Sequence, residues 1–354
     1  MKINVDIFSK SVRNRLSEKE KLVFSRYATL SSESEGRSII EVEYKNEFRL
    51  CFQRDRDRIV HSKAFRRLKG KTQVFLSPEG DHYRTRLTHT LEVAQISRTV
   101  AKALGLNEDL AEAVALGHDL GHTPFGHFGE ASLAKVVPSG FHHARQSERI
   151  AKRMNLTLEV CDGIAKHSKG KGPILDDNIS RFARTLEGQI VRVADIIAYI
   201  NHDIDDAVRA GIIKREDLPK EVVCAIGSSS KENMTVMVSD LIVNTYEQME
   251  QNFPTGVKRI YMSNEIIKVL AEVRAFLFSR VYEDKRVRYE LDKVMDVCTS
   301  LYNFFVSNPD KLKKMMGVER LYDTVENVTT DYISGMTDAY AMNCYKTVLG
   351  RTFV

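Results

Sequence analysis

Apolar residues along this chain recur at three- and four-residue spacing, and few segments alternate with the period of two that a half-buried strand requires. Gly and Pro punctuate the longer periodic stretches. The pattern predicts an all-α fold. One helix begins near Arg86, carries Leu91, Ala94, Ile96, Val100, Ala101 and Leu104, and stops at Gly105. A second has Asn107 as N-cap and Glu108 and Asp109 in its first turn, where acids complement the helix dipole. It proceeds through Leu110, Ala113, Val114 and Leu116 to His118-Asp119 and ends at Gly121. A third spans Leu186 to Ala210, with Gly211 as its stop. Further helices are predicted at Asn264 to Tyr282, Lys285 to Phe305 and around Tyr332 to Val348. Ser31 to Arg37 (SSESEGR) is expected to be a mobile loop; Ser168 to Ser180 and Gly227 to Asn233 are also expected to be loops. This divides the chain into a partly mobile N-terminal extension (1–45), a helical core (46–211) and a C-terminal helical region (212–354) expected to pack on that core, with apolar surface for closing a pocket or for subunit contacts.

With 354 residues, 43% of them hydrophobic, the chain can bury one large core. No apolar run is long enough to span a bilayer, and the first ten residues lack the apolar stretch of a secretory signal. The five cysteines are scattered and never form a CxxC pair, which suits a reducing cytoplasm and small core hydrophobes rather than disulfides or a thiolate zinc site. The net charge of +5 is uneven: Arg54 to Arg86 holds ten Lys/Arg against four Asp/Glu. That segment is either a solvated face or an electropositive wall for a polyanion, nucleic acid or nucleotide phosphate.

Two His-Asp dipeptides occur, His118-Asp119 and His202-Asp203, so context must distinguish them. His118-Asp119 closes an apolar helix, and His89 lies in the first turn of the helix before it. Helices joined by so short a turn pack antiparallel, which brings His89 and His118 together. Asp195 is surrounded in sequence by Ile190, Val191, Val193, Ala194, Ile196 and Ile197. A carboxylate there is costly unless it pairs with a cation, Arg192 or an arginine of the basic segment, or binds metal. Tyr199 and Asp203, at i+4 and i+8, continue a polar stripe. Imidazole nitrogens and carboxylate oxygens together suit a divalent ion, magnesium or manganese foremost, with cobalt, nickel or iron also accommodated. After the His-Asp pair come His122, His127, Glu130 and His143, acid/base groups beyond what ligation needs; His142 is the weaker member of its pair.

Six stretches resemble the HD-domain superfamily, and within it the deoxynucleoside triphosphate triphosphohydrolases: Phe52 to Phe75, Arg84 to Arg98, GHDLGHTPFGHFGE from Gly117, FHHARQSERI from Phe141, VADIIAYINHDIDDAVRAG from Val193, and DYISGMTDAYA from Asp331. The resemblance implies an HD-type helical core with additional C-terminal helices. It also implies hydrolysis of a deoxynucleoside triphosphate, dGTP among the substrates, to deoxynucleoside and tripolyphosphate. By position in the motifs, His89, His118, Asp119 and Asp195 look like metal ligands, and His122 and His143 look like phosphate contacts. His127 would protonate the departing 5′ oxygen with Glu130 orienting it. Arg86 resembles a triphosphate-gripping arginine, Tyr199 and Asp203 resemble sugar contacts, and Arg54, Arg58 and Gln73 are further expected substrate contacts, with Arg66, Arg67 and Lys71 available to offset phosphate charge. The resemblance also implies a homo-oligomer, the hexamer being frequent among relatives, and leaves open whether a nucleotide activator binds. Two departures are Ala144, where an amide-bearing residue is common, and Ala339, where a basic one is. The alternatives are an HD phosphohydrolase for another nucleotide and a protein that binds single-stranded nucleic acid through the basic segment.

Overall fold

The structure is a computed structural model that describes residues 4–41, 47–73, 84–168, 170, 172–175 and 178–350, with the backbone alone over 285–292. Among the described residues there are sixteen α-helices and no strand, so the all-α expectation holds. The first eight are α1 (Val5–Val23), α2 (Cys51–Val60), α3 (Lys63–Arg67), α4 (Arg86–Ala103), α5 (Glu108–Gly117), α6 (Gly126–Val136), α7 (His143–Arg153) and α8 (Leu158–Lys166). The long α9 (Leu186–Arg209) is followed by α10 (Lys220–Ile226), α11 (Ser230–Glu250) and α12 (Asn264–Leu277), which continues as a wide turn over Phe278–Tyr282. The chain closes with α13 (Lys285–Ser307), α14 (Pro309–Met316), α15 (Val325–Ser334) and α16 (Asp338–Leu349).

The predicted α4–α5 hairpin forms as its sequence dictates. Gly105 takes a positive φ of 66° and ends α4, while the Asn107 side chain accepts the Asp109 and Leu110 N–H groups to start α5. Val93, Ile96 and Val100 of α4 and Leu110, Val114 and Leu116 of α5 enter one core, covered by α2, α8 and α9. Helices α5 and α8 meet at small residues: a Cβ on Gly163 would fall 2.7 Å from a Val114 methyl. The first core continues past residue 211 through α10, α11 and α12 to Val281. A second core is built by α13–α16 around Phe125, Leu133 and Val137, so α6 belongs to it.

Four local expectations are corrected. Ser31–Arg37 is a tethered strap rather than a mobile loop: Ser31 donates to Glu20, Ser34 and the Glu35 N–H donate to Glu159, and the buried Arg37 guanidinium pairs with Asp55. Just before it, Glu187 of α9 accepts from the Thr29 N–H (2.9 Å) and hydroxyl (3.0 Å) and from the Asn107 N–H (3.1 Å). The loop at 227–233 ends at Ser229, whose hydroxyl caps α11. The single helix expected over Tyr332–Val348 is broken at Gly335–Thr337, because the Thr337 side chain caps a new helix. Of the cysteines, Cys161, Cys298 and Cys344 are buried, but Cys224 is exposed. The loop expected at 168–180 lies partly outside the described residues and contains a short helical turn at Ile179–Arg181.

Candidate active site

The hairpin places the first turn of α4 beside the end of α5, and α9 crosses both. His89 Nε2 lies 3.0 Å from Asp195 Oδ1, and His118 Nε2 lies 3.8 Å from the same oxygen and 3.7 Å from Asp119 Oδ2. One ligand atom each of His89, His118 and Asp119 falls within 4.8 Å of the others, as does one each of His118, His167 and Asp195. His118 Nδ1 donates to the Ala115 carbonyl (2.6 Å), which leaves Nε2 as the lone-pair nitrogen; it is buried without a hydrogen-bond partner. Asp195 pairs with these imidazoles; neither Arg192 nor an arginine of the basic segment is its described ion-pair partner. Unpartnered imidazole nitrogen facing carboxylate oxygen is a donor set that fits a divalent cation.

His167 is a member that sequence reasoning missed. It follows α8 as His118 follows α5, and its Nδ1 likewise meets the carbonyl three residues back, Ile164 at 2.7 Å. The close α5–α8 approach brings the two rings to 5.0 Å. The signal was a histidine directly past a second apolar helix. Burial, followed by the charges of His118 and His143, lowers its pKa to about 3, so it is neutral. His202, of the other His-Asp pair, stands behind the cluster with Nε2 2.8 Å from His89 Nδ1.

The turn after α5 carries the expected acid/base groups. His122 is fully buried with neither ring nitrogen hydrogen-bonded, Nε2 lying 3.9 Å from Glu130 Oε2, and it stacks on His143 at 4.7 Å. Glu130 accepts from the His143 backbone N–H (2.9 Å) and lies 2.9 and 3.0 Å from its Nδ1, whereas His127 Nδ1 is 3.7 Å away. Glu130 therefore grips His143 more closely than the exposed His127. Burial alone would raise the Glu130 carboxyl, but the His143 charge, the nearby His127 ring and the His143 hydrogen bond hold it well below the carboxylate range. Burial lowers the His143 imidazole, yet Glu130 outweighs it and raises the pKa. Burial and the Arg86 charge push His122 far down. His142 caps α7, accepting from the Ala144 N–H.

The expected substrate contacts divide into two groups. Arg86 is buried and pairs with Asp119 Oδ2 at 2.5 Å; burial would raise the Asp119 carboxyl, but Arg86 and the neighbouring imidazoles hold it well below its usual range. Gln73 is buried, with Oε1 unpartnered and its carbonyl 3.4 Å from the Arg86 guanidinium. Asp203 accepts from the Tyr282 hydroxyl, and the Tyr199 phenol, raised by burial, feels the charge of Arg274. These lie at or along the cluster. Arg54 and Arg58 are engaged elsewhere: Arg54 pairs with Glu41 and Glu47, while Arg58 pairs with Glu41 and donates to the Met154 and Asn155 carbonyls. Lys71 is buried inside the protein. A separate groove of about 1030 Å³ between α1, α2, α4 and α5 includes Arg56, Arg98 and Asp109 and none of the His/Asp cluster.

The HD domain family matches residues 86–200, and the phosphohydrolase-associated domain family matches 260–347. A deoxyguanosinetriphosphate triphosphohydrolase-like protein of Caldanaerobacter subterraneus subsp. tengcongensis is 49% identical over 345 residues, 95% of each chain. One of Desulfatibacillum aliphaticivorans is 44% identical, covering 97% of this chain and 99% of its own. One of Clostridium perfringens (strain 13) is 43% identical with the same coverage. A crystal structure of a hypothetical protein from Aquifex aeolicus aligns at 19% identity with a TM-score of 0.45, covering 82% of this chain and 66% of that one, just under two thirds of its length.

Proposed function

The chain belongs to the deoxyguanosinetriphosphate triphosphohydrolase-like family of HD-domain phosphohydrolases, and from that premise we propose that it hydrolyses a deoxynucleoside triphosphate to deoxynucleoside and tripolyphosphate. Water adds at the α-phosphorus, the bond from that phosphorus to the 5′ oxygen breaks, and the 5′ oxygen leaves with a proton. The observation that carries this reading is a continuous wall. Donors for a divalent ion (His89, His118, Asp119, Asp195) adjoin buried groups suited to phosphate (Arg86, His122, His143), and the same α9 face continues to Tyr199 and Asp203.

When bound, a divalent ion supplies Lewis acidity for the phosphate ester. The chain's own residues do the rest. Arg86 is anchored by Asp119 with its Nε still unpartnered, so the guanidinium is held in one place for an anion. The raised pKa of His143 keeps a proton on its ring with Glu130 as counter-ion; its Nε2, 3.2 Å from His167 Nε2, is the charge-assisted donor that would pass from that ring to a phosphate oxygen. The lowered pKa of His122 keeps it neutral, able to donate or accept without adding charge. His127, exposed and tethered loosely by Glu130, delivers the proton to the leaving oxygen. Asp203 accepts from a sugar hydroxyl at the place now taken by the Tyr282 hydroxyl, and Tyr199 packs against the ring.

Product analysis tests the reading. Each of the four deoxynucleoside triphosphates is supplied singly and mixed, with Mg²⁺, Mn²⁺ or Co²⁺. Tripolyphosphate and free deoxynucleoside are expected; orthophosphate or pyrophosphate as the released anion would overturn the proposal.

A further inference from the structure

The turn that carries His122 and His127 is held from outside the His/Asp cluster. Its centre is Phe125, a non-glycine residue at φ 62°, ψ 24°, followed by Gly126 at φ 61°. Two successive left-handed residues are an uncommon backbone that needs fixing by its surroundings. Gly126 has no slack, because a Cβ there would fall 2.9 Å from the Gln73 carbonyl.

The fixing comes from the C-terminal helices. Asp338, the first residue of α16, accepts the Phe125 N–H on Oδ1 at 2.8 Å. Its Oδ2 accepts the Thr72 N–H at 2.9 Å and the Thr72 hydroxyl at 2.5 Å. One carboxylate therefore spans the turn and the backbone at Thr72. A second tie runs through Lys71, whose side chain is 1% exposed. Its Nζ donates to the His122 carbonyl at 2.5 Å and to the Ser334 carbonyl at the end of α15 at 2.7 Å. Two further contacts keep α15 in register: Gln146 donates to Asp331 (2.7 Å), and Arg67 donates to the Gly335 carbonyl (3.1 Å). The break between α15 and α16 is what presents both the Ser334 carbonyl and the Asp338 carboxylate to this one place.

We propose that Asp338 and Lys71 are positioning residues that lock the 122–127 turn to the C-terminal helix pair, so that α15 and α16 set the spacing of His122 and His127 without supplying any of the four His/Asp donors. The effect on turnover rests on the functional reading above; the lock itself does not. A misplacement of about 1 Å in a catalytic group can cost on the order of 10²-fold in rate, so a small relaxation of this turn is consequential.

The test uses the full-length chain loaded with Mn²⁺ and the variant Asp338→Asn, which keeps the side-chain shape but leaves one acceptor oxygen for three donors. Amide exchange at residues 123–127 is expected to speed up by about tenfold or more while that of α4 and α5 stays as in wild type. Bound Mn²⁺ should stay equal to wild type, kcat should fall by about tenfold or more, and KM should move by less than about threefold. Thr72→Val, which removes only the hydroxyl donor, should show the same pattern at about two- to fivefold and keeps the test decisive if Asp338→Asn does not fold. Unchanged exchange at Phe125 in both variants overturns the lock. Faster exchange with kcat within about threefold of wild type in Asp338→Asn, or with kcat unchanged in Thr72→Val, overturns the positioning role, as does parallel loss of Mn²⁺ and kcat. Should wild type release no deoxynucleoside from any substrate, the functional reading fails, and exchange at Phe125 still decides the lock.

Discussion

Two regions of this molecule are dense in charge, and they have opposite internal accounts. In the His/Asp cluster, polar atoms are buried and left open: His118 Nε2, both nitrogens of His122, Gln73 Oε1 and Arg86 Nε have no hydrogen-bond partner within the protein. Along α2, at the start of the basic segment, guanidiniums are already matched. Arg54 and Arg58 share Glu41, Arg56 faces Asp57, Asp109 and Glu112, and the neighbouring Arg37 is closed on buried Asp55. Buried polar groups are ordinarily satisfied, so a concentration of unsatisfied ones marks a place built for something from outside. Charge density along a sequence does not separate these cases; the partners do.

The contrast can be broken most forcefully at the open cluster. His118→Ala and Asp119→Ala should each lose bound metal and turnover together, read by metal content and product release; near wild-type rate in either would mean that the cluster is not the site. Next comes the exposed member. His127→Ala should keep its metal while kcat falls by roughly 10²–10⁴-fold, the usual worth of a placed proton donor. A variant whose metal loss matches its rate loss would place His127 among the ligands instead.

The matched region should answer in stability instead of rate. Asp55→Ala takes from the buried Arg37 guanidinium its nearest carboxylate and leaves only Glu41, 3.7 Å from Nε; losses of about 3–5 kcal/mol are typical when a buried pair is broken. Denaturant titration should show that loss with metal content unchanged; the reverse pattern would erase the distinction between the regions. The smallest effect is in acid. The Arg58 hydrogen bond lowers the Glu41 pKa from 4.5 to about 2. A lowered carboxylate contributes stability that is full above about pH 4.5 and is lost as pH falls toward 2. Wild type should therefore lose its advantage over Glu41→Gln across that window, and a constant difference between the two would remove Glu41 from the account.

What the sequence revealed followed from the range of each interaction. The α4–α5 hairpin was legible because its signals are local: Gly105, Asn107 and the two apolar stripes fix the geometry that joins His89 to His118. Asp195 was half legible: a carboxylate amid isoleucines and valines has few tolerable environments, but the choice of imidazoles or metal over an arginine rested on the family resemblance. The strap at 31–37 was misread because its polarity looks like solvent exposure until Glu159 and Asp55 are in place. His167 escaped notice because a lone histidine after an apolar helix is unremarkable without the α5–α8 approach that brings it to His118. The break at Gly335–Thr337 was hidden by an unbroken apolar rhythm, with Thr337 as its one local sign.

The Glu187 anchor has a consequence in time. Thr29 and Glu187 are 158 residues apart, yet their hydrogen bonds, with that of Asn107, tie the N-terminal segment to the start of α5. At roughly 5–20 residues per second, a ribosome delivers Glu187 about 8 to 32 s after Thr29. The segment made first is therefore secured late, and a chain stalled before α9 would emerge with the start of α5 and the stretch leading into the strap both lacking the carboxylate that joins them.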